Sequence, residues 1–340
     1  MGPTRRDEMT DETPQTRGER EGSPLPLYER FPALRAIPRV SLCVLPSPVD
    51  RVTVDDTELW IKLDGLNAAI CGGNKARALE FLLAGVGSGD TIITTGGEGS
   101  THVLATAMHA RRLGARVIGI RWRHDMNHSA YRVADMISDE CVSSRVYGGA
   151  TRAILAAQLA RLTQPCHYVP LGGSTPLGVL AHVNAALEFA GQIHAGELPM
   201  PARVVVPLGS GGTVAGLSLG FAIAGLDIAT ICVQVTPAIV ANRLRVRRLI
   251  SRTARLIERM TGERVPRVPA HLLGVVHDAY GGAYGRPLPA ATVAARALES
   301  STGIRLDDTY SAKAFVVALA LARTSDGTTL FWNTFDSRLL

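Results

Sequence analysis

The chain of 340 residues lacks a long apolar stretch. Although 46% of its residues are hydrophobic, no run of about 18 uninterrupted apolar residues occurs, so we predict no membrane span. Residues 1–24 are polar and charged and lack the apolar core of a secretory signal. We therefore expect a flexible tail there and a cytoplasmic protein.

Paired cysteine motifs are also missing. The five cysteines are scattered and form no CxxC pair. This spacing argues against a disulfide framework and against a zinc site, so we predict no metal.

Signals for nucleic-acid binding are few. The net charge is +6, and basic residues concentrate in segment 243–259, RLRVRRLISRTARLIER. This segment is either a nucleic-acid patch or an amphipathic helix with a solvated basic face, since Leu244, Leu249, Ile250 and Leu256 recur near helical spacing. We favour the helix and expect no nucleic-acid partner, because nothing else in the chain resembles a groove-reading module.

What the chain does contain is an alternation of strand-like and helix-like segments. The strand-like segments are 58–64, 90–97, 115–122, 166–173, 202–212 with its glycine loop, 228–235 and 328–335. The helix-like segments are 77–85, 102–113, 150–162, 176–190 and 214–224. Short apolar strands that alternate with helices predict an α/β protein with parallel sheets flanked by helices on both faces.

A strand, a glycine loop and a helix follow one another in VVVPLGSGGTVAGL, residues 204–217. Such a loop lets the backbone approach an anion, and the dipole of the following helix favours negative charge. The segment lacks the lysine of a Walker motif and the spacing of GxGxxG, which argues against nucleotides. It is either a phosphate site or a plain tight turn.

Lys75 follows two glycines and an asparagine in CGGNKARALEFLL, residues 71–83. An ordinary surface lysine is one interpretation. However, the first turn of a helix is the positive end of its dipole and disfavours a cation. A lysine held as an imine, or with a lowered pKa, fits that position better.

Taken in order, several segments resemble one family from about Leu25 to the C-terminus. They are CGGNKARALEFLL, TTGGEGSTHVLATA (94–107), LGGSTPLGVLAHVNAALE (171–188), GSGGT (209–213) and LDDTYSAKA (306–314). The chain thereby resembles the D-cysteine desulfhydrase and 1-aminocyclopropane-1-carboxylate deaminase family, which are fold-type-II pyridoxal-phosphate enzymes.

The resemblance implies a role for each matching residue. Lys75 would hold pyridoxal 5'-phosphate as a Schiff base and later move protons. Ser100, Tyr284 and Tyr310 would face the substrate, with Thr101 and His102 beside them. Asn74 would fix the approach of Lys75 or of the substrate carboxylate. His102 is otherwise a local hydrogen-bond partner, and both tyrosines are otherwise ordinary packing residues. The phosphate would lie on Gly209, Ser210, Gly211, Gly212 and Thr213.

Three departures from the family pattern matter. The deaminase branch has a carboxylate near the pyridine nitrogen, where this chain offers the hydroxyls of Ser311 or Thr334. A hydroxyl partner favours elimination or replacement at the β-carbon. Thr101 replaces an asparagine that contacts the cofactor ring, and the C-terminal WNTFDSRLL lacks a glycine pair. These changes fit a specialised enzyme of secondary metabolism as well as they fit a housekeeping desulfhydrase.

The resemblance implies two α/β domains with the cofactor between them. The large domain would comprise residues 25–78 and 171–340, and the small inserted domain residues 79–170. We expect a homodimeric lyase or deaminase that acts on a small amino acid by α,β-elimination. The alternatives are a β-replacement enzyme, a racemase, or a non-catalytic ligand-binding relative.

Overall fold

The computed structural model describes residues 25–324 and 326–340. The predicted flexible tail, residues 1–24, lies outside the described residues. Within them, no helix is long and apolar enough to cross a membrane.

Ten strands and ten α-helices alternate along the described chain. The strands are β1 (Val49–Val54), β2 (Thr57–Leu63), β3 (Thr91–Gly97), β4 (Arg116–Trp122), β5 (Ser143–Tyr147), β6 (His167–Val169), β7 (Arg203–Leu208), β8 (Ala229–Gln234), β9 (Leu273–Val276) and β10 (Thr329–Asn333). The helices are α1 (Pro26–Arg30), α2 (Asn74–Leu82), α3 (Thr101–Arg112), α4 (His128–Glu140), α5 (Ala150–Thr163), α6 (Pro176–His194), α7 (Gly212–Ile223), α8 (Arg243–Thr261), α9 (Pro289–Thr302) and α10 (Ser311–Thr324).

The larger sheet has six strands in the order β1-β2-β10-β7-β8-β9. The β1–β2 pair is antiparallel, and the other pairs are parallel. Val204, Val205 and Val206 of β7 are all fully buried, as expected for a central parallel strand covered on both faces. One face packs against α6, α7 and α8, and the other packs against α9 and α10.

The smaller sheet has four parallel strands in the order β5-β4-β3-β6. Its two apolar clusters lie against α3 and α4 on one side and α5 on the other. All four strands fall between residues 91 and 169, whereas the exact domain limits at 78/79 and 170/171 stay a prediction. The mixed α/β fold with helices flanking parallel sheets is confirmed.

Most predicted segments form the expected elements, with small shifts at their ends. Segment 166–173 is an exception, because the strand covers only His167–Val169 and Leu171–Gly173 turns into a 3₁₀ helix. A hydrogen bond from the Gly173 amide to the Pro170 carbonyl closes that turn. The glycines therefore end the strand early.

The arginine-rich segment forms the amphipathic helix α8. Val246, Leu249, Ile250 and Ile257 are buried against the large-sheet core, while Leu244 remains 59% exposed. The buried apolar face of the helix thus begins at Val246, two residues after Leu244.

Candidate active site

The start of α2 is held against the end of β10. Gly73 adopts a φ of 101°, and a Cβ there would lie 2.3 Å from the Thr334 carbonyl oxygen. The Asn74 amide donates to that same carbonyl at 3.2 Å. Only glycine tolerates both this φ and this approach. The contact places Lys75, the second residue of α2, in a cavity between the two sheets.

Lysine is rare in this chain, which has only Lys62, Lys75 and Lys313. Lys62 donates to the Glu188 carboxylate at 2.8 Å, and Lys313 donates to the Tyr280 carbonyl at 2.7 Å. Within residues 25–324 and 326–340, the amine of Lys75 has neither a hydrogen bond nor an ion pair. It is therefore the lysine available for reaction.

Burial lowers the pKa of Lys75 from 10.5 to about 8. No neighbouring carboxylate offsets this cost of removing the ammonium from water. A larger fraction of the amine is thus neutral near pH 7 than for an ordinary lysine, and neutral amines are the nucleophilic and basic form.

The glycine turn after β7 lies directly beside this lysine. The Asn74 amide group donates to the Thr213 hydroxyl at 2.8 Å, which links the start of α2 to the start of α7. Gly211 has a φ of 92° and precedes the first turn of α7. The first amides of a helix have no carbonyl partner within it and carry its positive dipole end, so they form an anion site.

The turn is closed on its other side by the segment after β6. The hydroxyls of Ser174 and Ser210 are hydrogen-bonded at 2.6 Å. A Cβ on Gly172 would lie 2.2 Å from the Ser210 hydroxyl oxygen. The hydroxyls of Ser174 and Ser210 therefore lie close to the first amides of α7. Hydroxyl and amide donors grouped in this way are suited to bind a phosphate monoester.

The start of α3 forms another wall. Ser100 caps this helix, with its hydroxyl accepting from the Val103 amide at 3.4 Å, and Thr101 is the first helical residue. His102 shares a 3.2 Å hydrogen bond with the Thr94 hydroxyl. Burial and the nearby Lys75 lower the pKa of His102 to about 3, so this histidine is neutral at any working pH.

Two tyrosines face each other across the cavity. The hydroxyls of Tyr284 and Tyr310 are hydrogen-bonded to one another, and their ring centres are 5.9 Å apart. Burial raises the pKa of Tyr284 to about 12 and raises that of Tyr310 well above its usual value of 10. Both phenols therefore stay protonated and can donate hydrogen bonds or protons.

The structure brings most of the predicted site residues into one cavity of about 410 Å³. Those lining it are Asn74, Lys75, Ser100, Thr101, His102, Gly209, Ser210, Gly211, Gly212, Thr213, Tyr284, Tyr310 and Thr334. Ser311, the other predicted partner of the pyridine nitrogen, does not line the cavity, and its side chain is fully buried. Of the two hydroxyls considered for the pyridine nitrogen, Thr334 is thus the one that reaches the cavity.

Two titratable lining residues, His124 and Asp307, were not anticipated from the sequence. The His124 ring lies 4.6 Å from that of Tyr284, and its Nδ1 is 2.7 Å from the Asp125 carbonyl oxygen. The Asp307 carboxylate accepts from the amides of Thr309, Tyr310 and Ser311 at the start of α10. His124 follows β4, so the rule that sites lie beyond the carboxyl ends of strands could have indicated it.

Cavity and residues together fit pyridoxal phosphate. Lys75, which has no partner in the part of the chain that the structure describes, suits its aldehyde. The glycine turn suits its phosphate, and a hydroxyl at Thr334 suits its ring nitrogen. No cluster of metal-ligating side chains occurs in the described ranges. The fold and this cavity define an α/β enzyme that binds a phosphorylated aldehyde on a lysine.

Similarity to known proteins supports this class of enzyme. The model of the pyridoxal-phosphate dependent enzyme family matches residues 40–334, and the chain belongs to this family. Nocardicin C-9' epimerase from Nocardia uniformis subsp. tsuyamanensis is 34% identical, covering 89% of this chain and 94% of the relative. D-cysteine desulfhydrase from Salmonella schwarzengrund is 29% identical, covering 83% and 87%.

A solved structure of an aminocyclopropanecarboxylate deaminase homologue superimposes with a TM-score of 0.75. It is 28% identical and covers 91% of this chain and 94% of its own. The predicted resemblance, the fold type and the pyridoxal-phosphate cofactor are confirmed. The names of these relatives also support the expected lyase or deaminase class of enzyme.

Proposed function

We propose that this protein removes the α-proton of a small amino acid with Lys75 and expels its β-substituent, and that water then hydrolyses the resulting enamine to a keto acid and ammonia. The supporting observation is a lysine that has no partner among the described residues and a pKa of about 8, beside an anion-binding glycine turn. A base with a pKa close to the operating pH is the most effective for such proton transfer.

Different residues of the chain would bind the cofactor and the substrate. Pyridoxal phosphate supplies, when bound, an aldehyde for amines and a ring that withdraws electrons from the α-carbon. The amides after Gly209 and the hydroxyls of Ser210 and Thr213 would hold its phosphate. Asn74 and the N-terminus of α3 at Thr101 would bind the substrate carboxylate, because a helix N-terminus favours an anion.

The phenols of Tyr284 and Tyr310 would act as proton donors, whereas Lys75 would act as the base. Because both are protonated, they can donate a proton to a departing β-substituent or orient it. Ser100 would orient the substrate beside Lys75. A homodimer and a cytoplasmic location stay predictions.

The lysine assignment can be tested by chemical trapping. Borohydride reduction of the purified holoenzyme, followed by peptide mass mapping, should place the cofactor on the peptide that contains Lys75. The peptides with Lys62 and Lys313 are internal controls, because these are the other lysines of the chain. The assignment fails if the label is on either control peptide or if the purified protein carries no cofactor.

Epimerisation is the second candidate, and the 34% identity to an epimerase over most of both chains favours it. Inversion at carbon requires a proton donor on the face opposite the base. The protonated pair Tyr284 and Tyr310 would provide that donor.

One incubation separates the two reactions. Holoenzyme is mixed with D- and L-amino acids in D₂O, and both keto acid and recovered amino acid are analysed. Elimination yields keto acid with ammonia, whereas epimerisation yields amino acid of inverted configuration that carries deuterium at the α-carbon. Keto acid formation without inverted product would exclude the second candidate.

A further inference from the structure

The mouth of the active-site cavity is apolar and uncovered. Ile239 lines the cavity yet is 86% exposed, and Ile154 lines it with 38% exposure. Trp122 and Val240 line the cavity beside them. Isoleucine is among the residues most often found fully buried in proteins. Two exposed isoleucine side chains at the opening of a cavity therefore indicate that an apolar group of a ligand covers them.

The exposure of Ile239 is fixed by its turn. The Val240 amide donates to the Pro237 carbonyl at 2.8 Å. The Asn242 side-chain amide donates to the carbonyls of Ala238 at 2.8 Å and Ile239 at 3.2 Å. These bonds hold the segment after β8 with the Ile239 side chain outward.

Ile154 lines the cavity from a different element, α5. It lies on α5 next to Ala153, and both Ala153 and Ala157 are fully buried against the small sheet. The apolar rim is therefore formed by two separate elements, α5 and the turn after β8, each with its own support.

Charge is almost absent from the cavity. Among its lining residues in the described ranges, Lys75 is the sole lysine or arginine, and Asp307 is the sole carboxylate. Asp307 is already engaged by three backbone amides. A substrate with a second carboxylate or a phosphate would find only Lys75 as a counter-charge, and one with a terminal ammonium would find only the engaged Asp307.

We infer that the amino acid bound beside Lys75 carries an uncharged, apolar substituent that packs between Ile154 and Ile239. This inference rests on the proposed function and narrows its substrate class. It predicts that discrimination among amino acids follows the apolar surface of the side chain and not its charge.

The test uses the holoenzyme and the change in its absorption spectrum on binding. Alanine, leucine, phenylalanine, glutamate and lysine are titrated in both configurations. For one configuration, leucine or phenylalanine should half-saturate at roughly tenfold lower concentration than alanine, about the gain from burying two methylene groups. Glutamate and lysine should bind no better than alanine.

Ile239→Ser and Ile154→Ser should bring the ratio of alanine to leucine half-saturation close to one. Leu162→Ser is the matched control, because Leu162 is 82% exposed on the same helix α5 but does not line the cavity. This control should keep the wild-type ratio.

The outcomes are distinct. A response to alanine that is equal to or stronger than the response to leucine and phenylalanine overturns the inference and leaves the proposed function standing. No response to any amino acid overturns both. If Ile239→Ser instead changes the oligomeric state in size-exclusion chromatography, the rim is a subunit contact and the inference fails.

Discussion

Helix α2 carries two basic residues, Arg77 and Lys75, whose surroundings differ. The guanidinium of Arg77 contacts the carboxylates of Asp64 at 2.6 Å and Glu188 at 2.8 Å. Lys62 lies in the same cluster and contacts Glu188. Two residues before Arg77, Lys75 has no such partner among the described residues. Arg77 thus anchors the helix through ion pairs, whereas Lys75 is left available for reaction.

The electrostatics of the two regions follow from these contacts. Burial alone would raise the pKa of Asp64 and Glu188, but Arg77 and Lys62 together outweigh it, so the pKa of both carboxyl groups is lowered. With Lys62 the cluster holds two positive and two negative charges. In the cavity, burial acts on Lys75 without compensation. Charge pairing on one face of α2 thus fixes the position of an unpaired amine on the other.

The largest expected effect is that of Lys75→Ala on turnover. Without the amine, the rate should fall by about 10³-fold or more, because general-base and covalent contributions are lost together. Thermal denaturation of the two proteins without cofactor should show little or no loss of stability, since the side-chain amine makes no contact with the described residues that the change would break. Retention of more than a tenth of the activity would mean that another group moves the proton.

Arg77→Met should instead act on stability. It leaves two buried carboxylates with only Lys62, and breaking a buried ion pair in this way costs about 3–5 kcal/mol. The free energy of unfolding in urea measures this loss. Arg286→Met is the control, because its pair with Asp125 is exposed, and such pairs contribute about 1 kcal/mol or less. Equal losses in the two variants would contradict the comparison.

The cavity around Lys75 and the ion cluster around Arg77 also differ in how well the sequence predicts them. Lys75 and the turn at Gly211 follow from glycine spacing and from helix starts, which are local properties. The family resemblance then joins segments that are distant in the chain. The fold class followed in the same way, from the alternation of short apolar strands with helices.

The ion cluster could not be predicted in this way. Asp64, Arg77 and Glu188 lie on three elements that meet only in the folded chain, and each alone looks like a surface charge. The position of Ser311 depended likewise on the direction of its side chain at the start of α10. His124 depended on which residue after β4 turns toward Tyr284. Such facts arise from tertiary packing.

The lowered pKa of Lys75 predicts a pH-dependent stability of the protein without cofactor. Between about pH 8 and 10.5 the unfolded state binds more protons at this lysine than the folded state, so its contribution to stability grows as pH rises. The free energy of unfolding of wild type minus that of Lys75→Met should increase by roughly 2 kcal/mol from pH 7 to 10.

Lys313 has a similarly lowered pKa of about 8, but both proteins retain it, and its effect cancels in this difference. The tyrosines with raised pKa values cancel for the same reason. A difference that stays flat with pH would mean that the Lys75 amine titrates normally and is not isolated from water.

The smallest expected effect is that of Tyr284→Phe. The change removes one of two hydrogen-bonded phenols facing the substrate, and we expect kcat/KM to fall about tenfold, near 1.4 kcal/mol. Because the pKa of Tyr284 is about 12, this loss should be the same at every pH from 7 to 9.5. The shape of the pH profile should therefore be shared by wild type and variant. If the basic rise of the profile disappears in Tyr284→Phe, the phenol is the titrating base, and the division between a free amine and protonated phenols is wrong.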